Sequence, residues 1–335
     1  MLEALCQQTA PKLRAAMTET LPSAFPSSLG IAVLVPCYNE EAAIGVVVQD
    51  FRRVLPTATI YVYDNNSKDR TVEVARAAGA VVRREPLQGK GSVVRRMFAD
   101  IEADLYVLVD GDDTYHAASA PMLIRRLLDE QLDMVNGARV TEIQAAYRPG
   151  HRFGNVLLTT LVARIFGNRI GDMLSGYRVF SRRFVKSFPV LSSGFEIETE
   201  LTVHALELKM PVAEVSTPYK DRPEGSESKL RTFRDGFRIL GTILILVKEE
   251  RPMAFFSAIF ALLTTISILL AWPVVTTFMH TGLVPRLPTA VLATGTMLLA
   301  FLSLACGVIL DTVTRGRREM KRMRYLEIPG AVVEP

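Results

Sequence analysis

The chain has 335 residues, a net charge of +4 and three cysteines. So small an overall charge argues against a molecule built to bind nucleic acid. Cys6, Cys37 and Cys306 show no metal or redox spacing and suit a reducing compartment.

Residues 1–29 hold no apolar core of signal-peptide type. Leu2, Leu5, Leu13 and Met17 are spaced for a weakly amphipathic helix, and Pro22–Gly30 reads as a flexible lead-in. Ile31–Val35 is a continuous apolar run, the pattern of a parallel strand buried on both faces. It ends at Pro36-Cys37-Tyr38-Asn39-Glu40-Glu41, and Ala42–Leu55 follows with helical spacing. Thr59–Tyr63 is the second predicted strand, stopped by Asp64-Asn65-Asn66-Ser67-Lys68-Asp69. Thr71–Ala78 reads as a helix, Val81–Arg83 as a strand, and Gly89-Lys90-Gly91 opens a helix running through Ile101. Leu105–Val109 is the fourth strand and stops at Asp110-Gly111-Asp112-Asp113. Strand, polar turn and helix alternate throughout, which predicts a doubly wound parallel sheet with its ligands beyond the carboxyl ends of the strands.

The next stretch is less regular. Met134–Arg139 reads as a strand, His151–Gly167 as a helix, Asp172–Arg182 as a segment with a Ser-Gly-Tyr-Arg turn, Phe195–Leu208 as a helix and Val212–Val215 as a strand. Lys220–Lys229 is a charged loop, and Leu230–Val247 is amphipathic to apolar, suited to a membrane interface. Met253–Met279 and Leu287–Leu310 are uncharged apolar runs, each long enough to cross a hydrocarbon core of ~30 Å. Lys248 and Arg251 precede the first run; Arg315, Arg317, Arg318, Lys321, Arg322 and Arg324 follow the second. The positive-inside rule then puts both flanks, and the head, on the cytosolic side of the cytoplasmic membrane, where the basic tail could meet anionic headgroups. The chain thus divides into a flexible segment (1–29), an α/β head (30–229), juxtamembrane amphipathic helices (230–251), two spans (252–311) and a basic tail (312–335).

Asp110-Gly111-Asp112 carries the most chemistry. Two carboxylates flanking a small residue at a strand end can share a hard divalent cation, Mg2+ or Mn2+, that bridges a diphosphate. Gly111 leaves the backbone open to a ligand, and Thr114 and His116 are candidate further ligands. The simpler alternative for such a tripeptide is an acidic turn capping a helix. Glu40 and Asp64, at other strand ends, are suited to accept hydrogen bonds from a base or sugar. Lys90 reads equally as a phosphate contact or a solvated turn lysine.

Val33 to Glu40, Asp64-Asn65-Asn66-Ser67 and Asp110-Gly111-Asp112 together resemble the motifs of family 2 glycosyltransferases with the GT-A fold. Gly137-Ala138-Arg139, Asp172 to Arg178, Asp221-Arg222 and Glu227 to Leu230 are similar to the polyprenyl-phosphate branch, which includes dolichyl-phosphate mannose synthase and bacterial undecaprenyl-phosphate glycosyltransferases. The resemblance implies a Rossmann-like, mostly parallel α/β head followed by interfacial helices and a transmembrane hairpin. It implies that Pro36, Tyr38, Glu40, Val62 and Asp64 cradle base and ribose, and that Asp110, Gly111 and Asp112 hold the metal-diphosphate. Arg139, Arg222 and Lys229 would balance phosphate charge, and Arg152 with Asn155 would meet a lipid phosphate. Asp172, Glu196, Glu198 and Glu200 read as structural or positioning groups. Asn65 stands where relatives often have aspartate.

The expected activity is inverting transfer of one sugar from a nucleotide sugar to a polyprenyl phosphate, by an enzyme that relatives suggest is a homo-oligomer. The alternatives are single-sugar transfer to a membrane glycolipid or saccharide, and a non-catalytic membrane adaptor that binds nucleotide sugar. The Gln-x-x-Arg-Trp motif of processive family members is missing: the one tryptophan, Trp272, lies inside an apolar run.

Overall fold

The computed structural model describes residues 25–26, 28–140, 170–190, 194, 196–220, 241, 245, 247–249 and 251–330. The head is built on seven strands: β1 (Ile31–Cys37), β2 (Thr59–Asp64), β3 (Val81–Arg84), β4 (Leu105–Leu108), β5 (Met134–Val140), β6 (Arg178–Ser181) and β7 (Val212–Pro218). They lie in the order β3-β2-β1-β4-β6-β5-β7. All neighbours pair in parallel except β6, which runs antiparallel to both β4 and β5. The expected doubly wound sheet is present, with one reversed strand in the segment where the sequence shows only a turn.

Helices α1 (Ile44–Val54), α2 (Thr71–Ala77), α3 (Lys90–Asp100), α4 (Ala120–Asp129), α5 (Arg182–Ser187) and α6 (Ile197–Glu207) cover the sheet. On one face, Ile31, Val33 and Val35 of β1 pack with Ile44, Val48 and Phe51 of α1 and with Leu123, Ile124 and Leu127 of α4. On the other, Ala32 and Leu34 pack with Val93, Val94 and Met97 of α3, Phe184 of α5 and Leu201 of α6. A strand covered on both sides has no polar face, which is why β1 is apolar without interruption. Each fully buried large apolar side chain contributes roughly 1.5–3 kcal/mol. Ser181 links β6 to α5: its Oγ accepts from the Phe184 amide at 3.2 Å and caps the helix.

Two long helices follow, α7 (Pro252–Thr281) and α8 (Leu287–Leu326), each long and apolar enough to cross a membrane. They pack together through small residues. Ser267 Oγ donates to the Ala293 carbonyl at 2.8 Å, Ser303 Oγ to the Phe256 carbonyl at 3.2 Å, and Gly307 lies against Phe256. Leu269 and Trp272 point outward, 68% and 69% exposed, so the outer surface of the pair is as apolar as its contact. Gly282, with φ of 68°, ends α7 in the left-handed conformation that glycine adopts without strain.

The basic segment after the second apolar run is a continuation of α8 and packs on the head. Glu207, at the end of α6, accepts from Arg318 Nε at 3.1 Å and Lys321 Nζ at 2.8 Å. Tyr325 Oη donates to Asp133 Oδ2 at 2.6 Å, immediately before β5. The extension of α8 beyond the apolar run thereby docks the second apolar helix against the head.

Candidate active site

β2, β1 and β4 are neighbours and point the same way, so the loops at their carboxyl ends form one surface. The first two loops are laced together. The Asn39 amide donates to Ser67 Oγ at 2.9 Å, the Lys68 amide to Asn39 Oδ1 at 2.8 Å, and the Glu40 amide to Thr71 Oγ1 at 2.8 Å. Asn39 sits at φ 53°, a left-handed conformation that asparagine tolerates. Asp64 is buried at the end of β2 and its carboxylate accepts from the Ser67 amide at 3.2 Å. Pro36 and Tyr38 are half-buried beside it and Glu40 is buried. Val62, by contrast, is completely buried in the apolar core, so its side chain packs rather than faces this surface.

Asn65 has a structural task. Its Nδ2 donates to the carbonyls of Glu85 and Leu87 at 2.9 and 2.8 Å, and its Oδ1 accepts from the Gly89 amide at 2.7 Å. An aspartate could accept but not donate, so the amide is what holds the loop leading into Lys90.

The acidic loop after β4 is tightly held. A methyl group on Gly111 would stand 2.6 Å from Cys37 Sγ, so packing against the end of β1 already requires glycine there. Asp112 is buried and accepts from Thr114 Oγ1 at 2.6 Å, which makes Thr114 an orienting group for Asp112. Asp113, at φ 56°, pairs with Lys220 Nζ at 2.6 Å. The Gly176 amide donates to Tyr115 Oη at 2.8 Å. His116 is half-buried, and its backbone carbonyl accepts from Tyr177 Oη at 3.5 Å.

Two charge pairs bring distant residues here. Lys90, at the start of α3, is neither solvated nor open: its ammonium is buried between Asp110 and Glu198 and donates to both. Burial alone would lower the lysine, but the two carboxylates outweigh it and raise it well above the usual range. Burial raises the Glu198 carboxyl above its ordinary value, against the opposing pull of Lys90. Glu198 Oε2 is buried with no hydrogen-bond donor. Arg139, near the end of β5, makes a two-pronged contact to Asp172, Nε and Nη2 each at 2.7 Å. Burial would raise Asp172, yet the hydrogen bonds and charge of Arg139 prevail and keep it below the ordinary carboxylate value. The Arg139 guanidinium also lies 5.7 Å from the centre of the Tyr219 ring.

Arg178 is buried completely on β6. It donates to the carbonyls of Ser175 and Met173 at 3.0 and 2.7 Å and to Thr202 Oγ1 at 2.8 Å, riveting the 173–178 segment beside Asp110 to α6. Glu198, Asp172 and Arg178 were legible only as positioning groups or motif letters. Lys90 and Glu198 are separated by 108 positions, and no local spacing signals their meeting. Arg152, Asn155, Arg222 and Lys229 lie outside the described residues.

The described residues hold no group of three or more His, Cys, Asp or Glu side chains arranged for a metal. The fit to a divalent ion rests on two hard carboxylates, Asp110 and Asp112, in a loop that already holds one positive charge, the Lys90 ammonium, against Asp110. Two aspartates would supply part of a coordination shell, and a diphosphate and water would complete it.

Residues 32–188 match the family model described as Glycosyl transferase family 2. Glycosyltransferase AglJ of Haloferax volcanii is 33% identical over 313 residues, covering 90% of this chain and 100% of its own length. A dolichyl-phosphate hexose transferase of the same organism is 31% identical over 222 residues, 66% of this chain and 95% of its own. Among solved structures, glucosyl-3-phosphoglycerate synthase from Mycobacterium tuberculosis, crystallised with Mn2+, UDP and glucosyl-3-phosphoglycerate, is similar with a TM-score of 0.53 and 24% identity. That likeness covers 66% of this chain and 80% of the synthase, and it bears on the fold, which is GT-A. With sequence and fold in agreement, the chain belongs to glycosyltransferase family 2.

Proposed function

We propose that this enzyme is anchored in the cytoplasmic membrane with its head in the cytosol. It moves one sugar, with inversion, from a UDP- or GDP-linked donor to a polyprenyl phosphate. The observation that carries this reading is the helical attachment of the sheet bearing the acidic loop to two helices long and apolar enough to span a bilayer. A lipid phosphate stays at the membrane surface, and such an attachment keeps the head there with it. The dolichyl-phosphate hexose transferase among the relatives supports the same acceptor class.

The chemistry is mostly a matter of charge. A phosphate monoester is already an anionic nucleophile and needs no strong base. The protein must bring two polyanions together and stabilise the departing nucleoside diphosphate. Asp110 and Asp112 would hold Mg2+ or Mn2+, which supplies positive charge to the diphosphate when bound. Pro36, Tyr38, Glu40 and Asp64 would line the base and ribose, with Val62 supporting them from the core. Gly111 keeps the acidic loop close to β1. Arg139, held by Asp172, would offer a guanidinium to the phosphates. Lys90, Arg222 and Lys229 would add charge toward the donor, and Arg152 with Asn155 toward the lipid phosphate.

The test is to incubate purified enzyme, polyprenyl monophosphate and a panel of radiolabelled nucleotide sugars with Mg2+ or Mn2+, then extract with organic solvent. One donor should deliver label to a lipid that releases its sugar in mild acid. Label found only in water-soluble or glycolipid acceptors would overturn the assignment.

A further inference from the structure

The ammonium of Lys90 occupies a place where a metal-binding role for Asp110 would call for a cation. It lies between Asp110 and Glu198, its side chain 9% exposed, and it satisfies one oxygen of each. One positive charge held from within thus offsets only part of the two carboxylates. Glu198 Oε2, buried without a donor, marks remaining negative capacity beside the ammonium. Asp110 cannot serve a divalent ion and a lysine at full strength together, because two cations on one carboxylate repel each other in a poorly hydrated site.

We propose that Lys90 is a resident counter-cation that competes with the divalent metal for Asp110, so that metal binds weakly to the empty enzyme and tightly only with the nucleotide. The inference rests on the metal-binding reading of Asp110 and Asp112. An arriving diphosphate brings its own negative charge, which draws the ammonium off Asp110 while Glu198 keeps it in the pocket. Asp110 then passes to the metal. Glu198 is a positioning residue in this exchange, holding Lys90 near both partners. Metal and nucleotide become linked ligands, each raising the affinity of the other by the same factor.

The experiment measures Mn2+ binding to the full-length enzyme in detergent by electron paramagnetic resonance, without nucleotide and with saturating UDP or GDP. The wild type should bind Mn2+ on the order of 10-fold more tightly with the nucleotide. Lys90→Met should bind Mn2+ on the order of 10-fold more tightly than wild type when nucleotide is absent, and its gain from nucleotide should shrink. Lys90→Met leaves the buried Glu198 and the half-buried Asp110 without their cation, so Lys90→Met/Glu198→Gln is measured beside it; this pair removes one charge of each sign and should show the same tightening. Unchanged or weaker nucleotide-free affinity in both variants would overturn the exchange while leaving the metal site intact. Absence of Mn2+ binding in the wild type, even with nucleotide, would instead remove the metal reading and the exchange with it.

Discussion

The carboxylate of Asp110 lies against the α-carbon of Gly176: a methyl group there would stand 2.5 Å from Asp110 Oδ2 and 2.9 Å from its Cγ. Lys90 holds the same carboxylate from another side, so it has little freedom to move away. Gly176→Ala should displace Asp110 and lower transfer on the order of 100-fold while the protein remains folded. Steady-state kinetics beside a thermal melt check this. An unaltered rate would mean that the acidic loop tolerates the shift.

Asp112 is the second predicted metal ligand, and Thr114 orients it at 2.6 Å. Asp112→Ala should abolish transfer without unfolding the head. Thr114→Val removes one hydrogen bond, worth about 1 kcal/mol, and should cost roughly 5-fold in rate. The graded pair separates a group that acts from one that aims it. Equal losses in both would give Thr114 a larger part.

Asn65→Asp tests the amide that departs from the usual family pattern. Its two donated bonds would be replaced by repulsion between a carboxylate and the carbonyls of Glu85 and Leu87. A cost of about 2–4 kcal/mol is expected, from two unsatisfied acceptors. Chemical denaturation of the detergent-solubilised protein measures it. If stability is unchanged and only donor preference shifts, Asn65 belongs to base recognition instead.

The strand ends and acidic loop were legible because they are local: an apolar run, then a polar stop, repeated. The reversed strand β6 was not, because Arg178–Ser181 is four residues long and opens on a buried arginine, which no hydropathy pattern reads as sheet. Lys90 was ambiguous for a related reason. Its neighbours Gly89 and Gly91 describe a turn, whereas its burial is decided by Asp110 and Glu198, brought in by the fold. The tail after the second apolar run showed its charge plainly, but not that Glu207 and Asp133 wait for it.

His204 offers a pH test outside the site. Its ring packs between Phe184 and Phe188, with centroids 5.5 and 5.0 Å away, and both ring nitrogens are buried without partners. Burial first, then the charge of Lys321, pushes it down to about 3. An unfolded histidine takes its proton near 6.5. Between those values only the unfolded chain is protonated, so stability must fall as pH falls. From pH 7 to pH 5 the loss from this residue is on the order of 2 kcal/mol. His204→Phe should remove that slope and raise the melting temperature at pH 5 more than at pH 7.5. Parallel curves for the two proteins would mean that the imidazole reaches water.

The junction of α8 with the head is the last element to test. Asp133 is completely buried and its carboxylate is shared by Tyr325, Ser181 and Arg183. Tyr325→Phe removes one donor to a buried carboxylate, costing about 1–3 kcal/mol. For a domain of this size each kcal/mol lowers the melting temperature by about 2–4 °C. Glu207→Gln should add to this, because Arg318 and Lys321 would lose the carboxylate they share. The two contacts lie on one helix, so the double variant should exceed either single change and expose the 311–326 segment to protease. If each variant melts within about 1 °C of the wild type, the shift a weak exposed contact of about 0.3 kcal/mol would give, the helix merely rests on the head. In that case its basic residues would be available for the membrane surface after all.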